Sequence, residues 1–150
     1  YKKYPNLHFQ RGNLFSLMGN AKSAMDEYRE ELKSHPDNVN AVLALGNENL
    51  KAKNLDEALR LFSDAMRLAP KSGEPRQLAG YVQFLKKDYD AAVALLLSAV
   101  ELDPGNPTGY KRLGAALRGQ GANDKAREAF RKYLDLFPDA PDRAEFENLL

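Results

Sequence analysis

The chain has 150 residues, 43% of them hydrophobic and 29% charged, and its net charge is +1. That length and apolar content suffice for one ordinary domain with a buried core, while the charge balance gives no general pull toward nucleic acid or an anionic membrane. Zero cysteine excludes disulfides, thiolate metal sites and cysteine nucleophiles, and no run of about 18 apolar residues offers a membrane span.

Taken in chain order, the sequence repeats itself every 34 residues. Pro36, Pro70, Pro104 and Pro138 form one column. Gly12, Gly46, Gly80 and Gly114 form a second, Ala24, Ala58, Ala92 and Ala126 a third, and Tyr28, Phe62, Leu96 and Phe130 a fourth. A fixed period of this size marks a stack of similar supersecondary units. With the proline column at position 32, the units are 5–38, 39–72, 73–106 and 107–140. Each reads as two helices. The second unit predicts a first helix over Asn40–Lys51 and a second over Asp56–Leu68, with apolar residues at helical spacing in both.

The breaks between paired helices are Gly19-Asn20, Lys53-Asn54, Lys87-Asp88 and Gly121 to Asp124. Their Asn and Asp side chains are suited to accept from the orphan N–H groups that open the next helix. Column prolines end each second helix, since proline lacks the N–H and its ring clashes with the preceding turn. Pro5, Pro107 and Pro141 recur at position 1, where a first-turn proline loses no hydrogen bond. Glycine inside a helix costs up to about 1 kcal/mol against alanine, so its column predicts close packing of the second helix, with Phe62 filling the space near Gly46 and Ala58.

These columns resemble the tetratricopeptide repeat, whose unit places a large residue at position 4, Leu-Gly at 7–8, an aromatic at 11, Ala at 20, Phe or Tyr at 24, Ala at 27 and Pro at 32. The second repeat supplies Leu45-Gly46, Ala58, Phe62, Ala65 and Pro70, and the fourth Tyr110, Leu113-Gly114, Ala126, Phe130 and Pro138. Departures gather in the first repeat, with His8 at position 4, Arg11 at 7 and Glu31 at 27. The resemblance implies an all-α fold, an α-α superhelix built as a right-handed solenoid of helix-turn-helix repeats. Residues 1–150 then form a single domain of four repeats, with 141–150 as a capping helix rather than a fifth repeat, because Glu147 and Asn148 stand where Leu-Gly would continue the pattern. Starting at Tyr1 rather than methionine, the chain reads as a piece of something longer, and a cytoplasmic location is the expectation.

The same resemblance directs attention to the groove lined by first helices, through positions 2, 5, 9, 12 and 13. The candidate peptide-binding residues are Phe9, Asn13, Leu43, Asn47, Leu50, Lys51, Gln77, Tyr81, Phe84, Lys111 and Arg118. Asn13 and Asn47 share position 9, and an amide offers both donor and acceptor to an extended peptide backbone. Asn6 and Asn40, at position 2, read as helix caps. Phe9, Leu43, Leu50, Tyr81 and Phe84 would form an exposed apolar stripe, the usual mark of a binding surface. The repeats carry charges of −1, +1, −2 and +3, and the tail −2. Lys111, Arg112 and Arg118 are therefore candidates to hold a ligand carboxylate, with Asp142 and Glu145 placed to neutralise them. Some relatives clamp two carboxylates with lysines at set positions. This chain lacks those lysines in either register.

No nucleophile, base and orienting group assemble into a catalytic set, and no cofactor or metal is expected. His35-Pro36-Asp37 spells a chaperone J-domain tripeptide, but its proline is the comb proline. The expected function is a non-catalytic protein-interaction scaffold that binds a segment of a partner protein, with no nucleic acid and no membrane insertion. The rivals are self-assembly into a homo-oligomer, an auxiliary domain of a larger enzyme, and RNA reading of the pentatricopeptide kind, whose period is 35 and whose grooves are basic.

Overall fold

A computed structural model describes residues 6–150. Among them the helices are α1 (Leu7–Leu17), α2 (Ala21–Ser34), α3 (Val39–Lys51), α4 (Leu55–Leu68), α5 (Glu74–Leu85), α6 (Tyr89–Leu102), α7 (Pro107–Gly119), α8 (Asn123–Leu136) and α9 (Arg143–Glu147), and no described residue is in a strand. The predicted helix pairs are all present, and α3 and α4 each begin one residue before the expected start and end where expected. Contacts gather into two compact units, one ending at Pro70 and one running from Lys71 to Leu150.

In the first unit α1 packs on α2, α2 on α3, and α3 on α4. The glycine column works here by steric exclusion. A Cβ built on Gly46 would lie 2.5 Å from the ring of Phe62, and one on Gly12 would lie 2.5 Å from the ring of Tyr28. The aromatic at position 24 therefore rests directly on bare helix backbone. Ala24, Ala58, Phe62 and Ala65 are fully buried beside these contacts.

The second unit repeats the scheme, α5 on α6, α6 on α7, α7 on α8, with α9 on α8. Its core joins Leu96, Leu113, Leu117, Phe130, Tyr133 and Leu134 with Phe146 of α9. Phe146 meets Phe130 at 4.9 Å between ring centroids and Tyr133 at 5.3 Å, which is how a five-residue helix keeps its place.

Position 15 of every repeat is left-handed: Gly19, Lys53, Lys87 and Gly121 have φ of 74°, 61°, 63° and 88°. Two repeats meet that demand with glycine and two hold a lysine there at some cost. The capping residues differ in part from expectation. Asn20 and Asp88 accept from Ser23 and Ala91 N–H as predicted. Asn54 does not cap α4, because its amide donates instead to Asn49 Oδ1, and Ala122 occupies the N-cap of α8. The cap of α3 is Asn38, which accepts from Ala41 N–H, so Asn40 lies inside the helix. Asn6 stands at the N-cap of α1 without a side-chain cap bond. Pro107 opens α7 as expected, Pro141 falls before α9, and Pro5 lies outside the described residues.

Candidate functional site

In the first unit the candidate polar groups are largely occupied within the fold. Asn13 Oδ1 accepts from the Tyr28 hydroxyl at 2.8 Å. Lys51 Nζ donates to Glu48 Oε1 at 2.7 Å, and Ser16 Oγ donates to the same oxygen at 2.6 Å. Glu48 is buried. Burial alone would raise its carboxyl, but the bonds from Lys51 and Ser16 outweigh that and hold it below the ordinary value. Burial, with the Glu48 charge nearby, raises the Tyr28 phenol. Asn47 is half-buried and its side chain makes no hydrogen bond among the described residues, so it alone of the two position-9 amides is uncommitted at its oxygen. Phe9 and Leu50 are half-buried.

Two candidates are not surface residues. Leu43 is 7% exposed, an aliphatic side chain withdrawn from water into the packing of α3. Gln77 is also 7% exposed, and its Oε1 accepts from Asn106 Nδ2 at 3.4 Å, so it ties α5 to the start of α7. The apolar stripe therefore loses Leu43.

The second unit brings three candidates together. Tyr81, Phe84 and Lys111 line a hollow of about 470 Å³ on the side of α5 and α7, with Thr108, Arg112 and Ala115 from α7, Tyr133 and Phe137 from α8 and its end, and Pro141, Asp142 and Phe146 from the tail. The Tyr81 and Phe84 rings stack, 6.4 Å apart and 15° from parallel. Lys111 is paired with Asp142 and lies 5.5 and 5.3 Å from the centroids of Tyr133 and Phe146. Asp142 Oδ1 also accepts from the Tyr133 hydroxyl at 2.6 Å. The bonds from Lys111 and then Tyr133 hold the Asp142 carboxyl below its ordinary value. Burial, with that same bond, pushes the Tyr133 phenol up to about 12. Lys111 is thus neutralised inside the fold, and Arg118 is exposed and not part of the hollow.

Arg112 is different. Its guanidinium sits 4.4 Å from the centroid of the Tyr81 ring, and burial pulls its pKa below the ordinary value. Among the described residues no carboxylate pairs with it. A half-buried cation held on an aromatic face, with its donors unspent, is arranged to receive an anion. In the described residues no cluster of His, Asp or Glu could hold a metal ion, and no helix is long and apolar enough to cross a membrane.

Two family models described as tetratricopeptide repeat match this chain, one over residues 9–73 and the other over 49–117 and 83–150. The chain belongs to the tetratricopeptide repeat family. Small glutamine-rich tetratricopeptide repeat-containing protein 2 of Saccharomyces cerevisiae is 32% identical over 91 residues, which is 61% of this chain and 26% of that protein. The chain thus spans about a quarter of that relative's length. Among solved structures, MamA superposes with a TM-score of 0.79 at 27% identity, over 85% of this chain and 74% of that one. The first tetratricopeptide domain of Spaghetti (RPAP3), solved with an HSP90 peptide, SRMEEVD, superposes with a TM-score of 0.70 at 21% identity, over 74% of this chain and 89% of that one.

Within this tetratricopeptide chain, the residues that sequence reasoning missed come from outside the first helices. Tyr133 stands at position 27, where Ala65 and Ala99 occupy the middle repeats, so its size was a visible departure. Phe146 reaches the hollow from the tail, where Asp142 stands at position 2 of the register and pairs with Lys111 as expected.

Proposed function

We propose that the chain is a non-catalytic interaction module, four repeats closed by α9, that takes a carboxylate-bearing peptide segment of a partner protein into the hollow of the second unit. The single observation that carries this is Arg112: an unpaired, half-buried guanidinium stacked on Tyr81 in a hollow walled by aromatic rings. The ligand carboxylate meets Arg112, and the apolar side chain beside it rests on Phe84 and Phe137. A neighbour of the same fold was solved with an acidic peptide, which supports the reading. Because Lys111 is held by Asp142, one carboxylate is recognised rather than two.

An array of short random peptides with free C-terminal carboxylates, paired with their amidated twins, tests it. Free-acid peptides are expected to dominate the bound set, and Arg112→Gln is expected to abolish that preference, about tenfold in affinity for the best binder. The melting temperature should not fall, because the variant removes a desolvated charge that no carboxylate offsets. Equal capture of acid and amide twins would overturn the assignment.

A further inference from the structure

A second surface of the second unit, lined by α6, α7 and α8, departs from the pattern of its own repeats. In α2, α4 and α8 the outward positions 22 and 25 are polar or charged: Asp26 and Arg29, Arg60 and Ser63, Glu128 and Arg131. In α6 the same positions are Ala94 and Leu97, both exposed, Leu97 by 45%. A helix that is apolar nearly all round is normally buried on all sides. Here the uncovered face opens onto a groove of about 620 Å³ floored by Val100 and Tyr110 and edged by α8.

The equivalent groove of the first unit, about 440 Å³, has lip charges that are spent on one another. Arg60 on its lip donates to Glu57 at 2.6 Å and to Asp64 at 3.0 Å. In the second unit the lip is Lys125, Glu128 and Lys132, and neither lysine has an ion pair among the described residues. Lys125 and Lys132 are seven residues apart on α8, about 10 Å along the helix axis.

We propose that this groove docks an amphipathic helix of a partner protein, apolar toward Leu97 and Val100, with two carboxylates seven residues apart facing Lys125 and Lys132. Two turns of a second helix reproduce that spacing, and laying an apolar helix face into a groove is an established mode of recognition. Charge argues against α1 of a second copy as occupant. The chain's most exposed apolar side chains, Leu17, Met18 and Leu14, lie on and just after α1, a helix that contains no Asp or Glu.

The probe is a fluorescein-labelled, helix-stabilised peptide of about 16 residues, with leucines along one face and two glutamates seven residues apart beside them, together with a twin carrying lysines for those glutamates. In fluorescence polarisation with the intact chain, the glutamate peptide should bind about tenfold or more tighter than its twin. Leu97→Arg places at position 25 the residue that the first and fourth repeats already carry, and it should abolish binding without loss of folding. Lys125→Glu with Lys132→Glu should reverse the preference between the peptides. Arg112→Gln should leave binding unchanged, which separates this site from the hollow. The proposal is overturned if neither peptide binds, if both bind alike, or if light scattering reveals a dimer that Leu97→Arg breaks.

Discussion

At the scale of single residues, Glu31 shows how a departure from a repeat pattern can be structural. Position 27 is alanine in the two middle repeats, and a carboxylate there reads as an error until its partners are known. Glu31 is 1% exposed. Its Oε2 accepts from Phe9 N–H at 3.3 Å, one of the orphan donors opening α1, and its Oε1 accepts from Asn38 Nδ2 at 3.0 Å and lies 3.0 Å from His35 Nδ1. The sequence displayed the departure but not its cause, because Phe9 lies 22 residues away and the pairing depends on how α1 meets α2. Restoring the family residue with Glu31→Ala should therefore destabilise the chain, by about 1–2 kcal/mol, since part-buried donors lose a charged acceptor. Urea unfolding of the variant against the parent measures this. An unchanged or higher midpoint would show that the carboxylate is a tolerated passenger.

At the scale of elements, the columns announced the helices because each column residue acts within its own hairpin. Gly46 and Phe62 meet inside one repeat, and so do Gly80 and Leu96. The tail was harder to read, because α9 is held by residues from three places. Asp142 takes Lys111 of α7, a pairing its place in the register anticipates, and Tyr133 of α8, which only the fold brings to it. That triad has a pH signature. The Asp142 carboxyl is depressed in the folded chain, so its contribution is complete above the ordinary carboxylate value of 3.8 and fades as the pH falls through and below it. Asp142→Asn should cost about 1 kcal/mol at neutral pH, the scale of a partly exposed charge pair. The gap in unfolding free energy between variant and parent should then close as the pH is lowered. Burial and then Asp142 push the Tyr133 phenol up to about 12 in the parent, and loss of the negative partner should lower it only in part, because burial remains, a change visible in the ultraviolet absorbance. A gap that persists unchanged into acid would mean that Asp142 acts through its hydrogen-bonding shape and not its charge.

At the scale of the whole molecule, the period identified the family and the face to search, yet it could not say which groups on that face are spent. Asn13, Lys51, Lys111 and Arg112 were legible as candidates, and the first three are each committed to an internal partner, whereas the burial of Arg112 and its Tyr81 contact single it out. The same accounting bears on the RNA-reading rival. Affinity for a phosphate backbone requires unspent cations in register. Arg29, Lys33, Arg60, Arg67, Arg127 and Arg143 are each paired with a carboxylate three or four residues away on the same helix or its first turn. The cations unpaired among the described residues, Arg112, Lys125 and Lys132 among them, are offset by acidic groups elsewhere to a net charge of +1, so the overall field for a polyanion is weak. A labelled uridine homopolymer titrated at physiological salt should therefore bind no tighter than about 10⁻⁴ M, the weak end of non-specific binding. Lowering the salt should strengthen it only slightly, since few counterions are there to be released. A steep salt dependence, with micromolar affinity lost on Arg112→Gln, would instead assign the hollow to a phosphate and overturn the peptide reading.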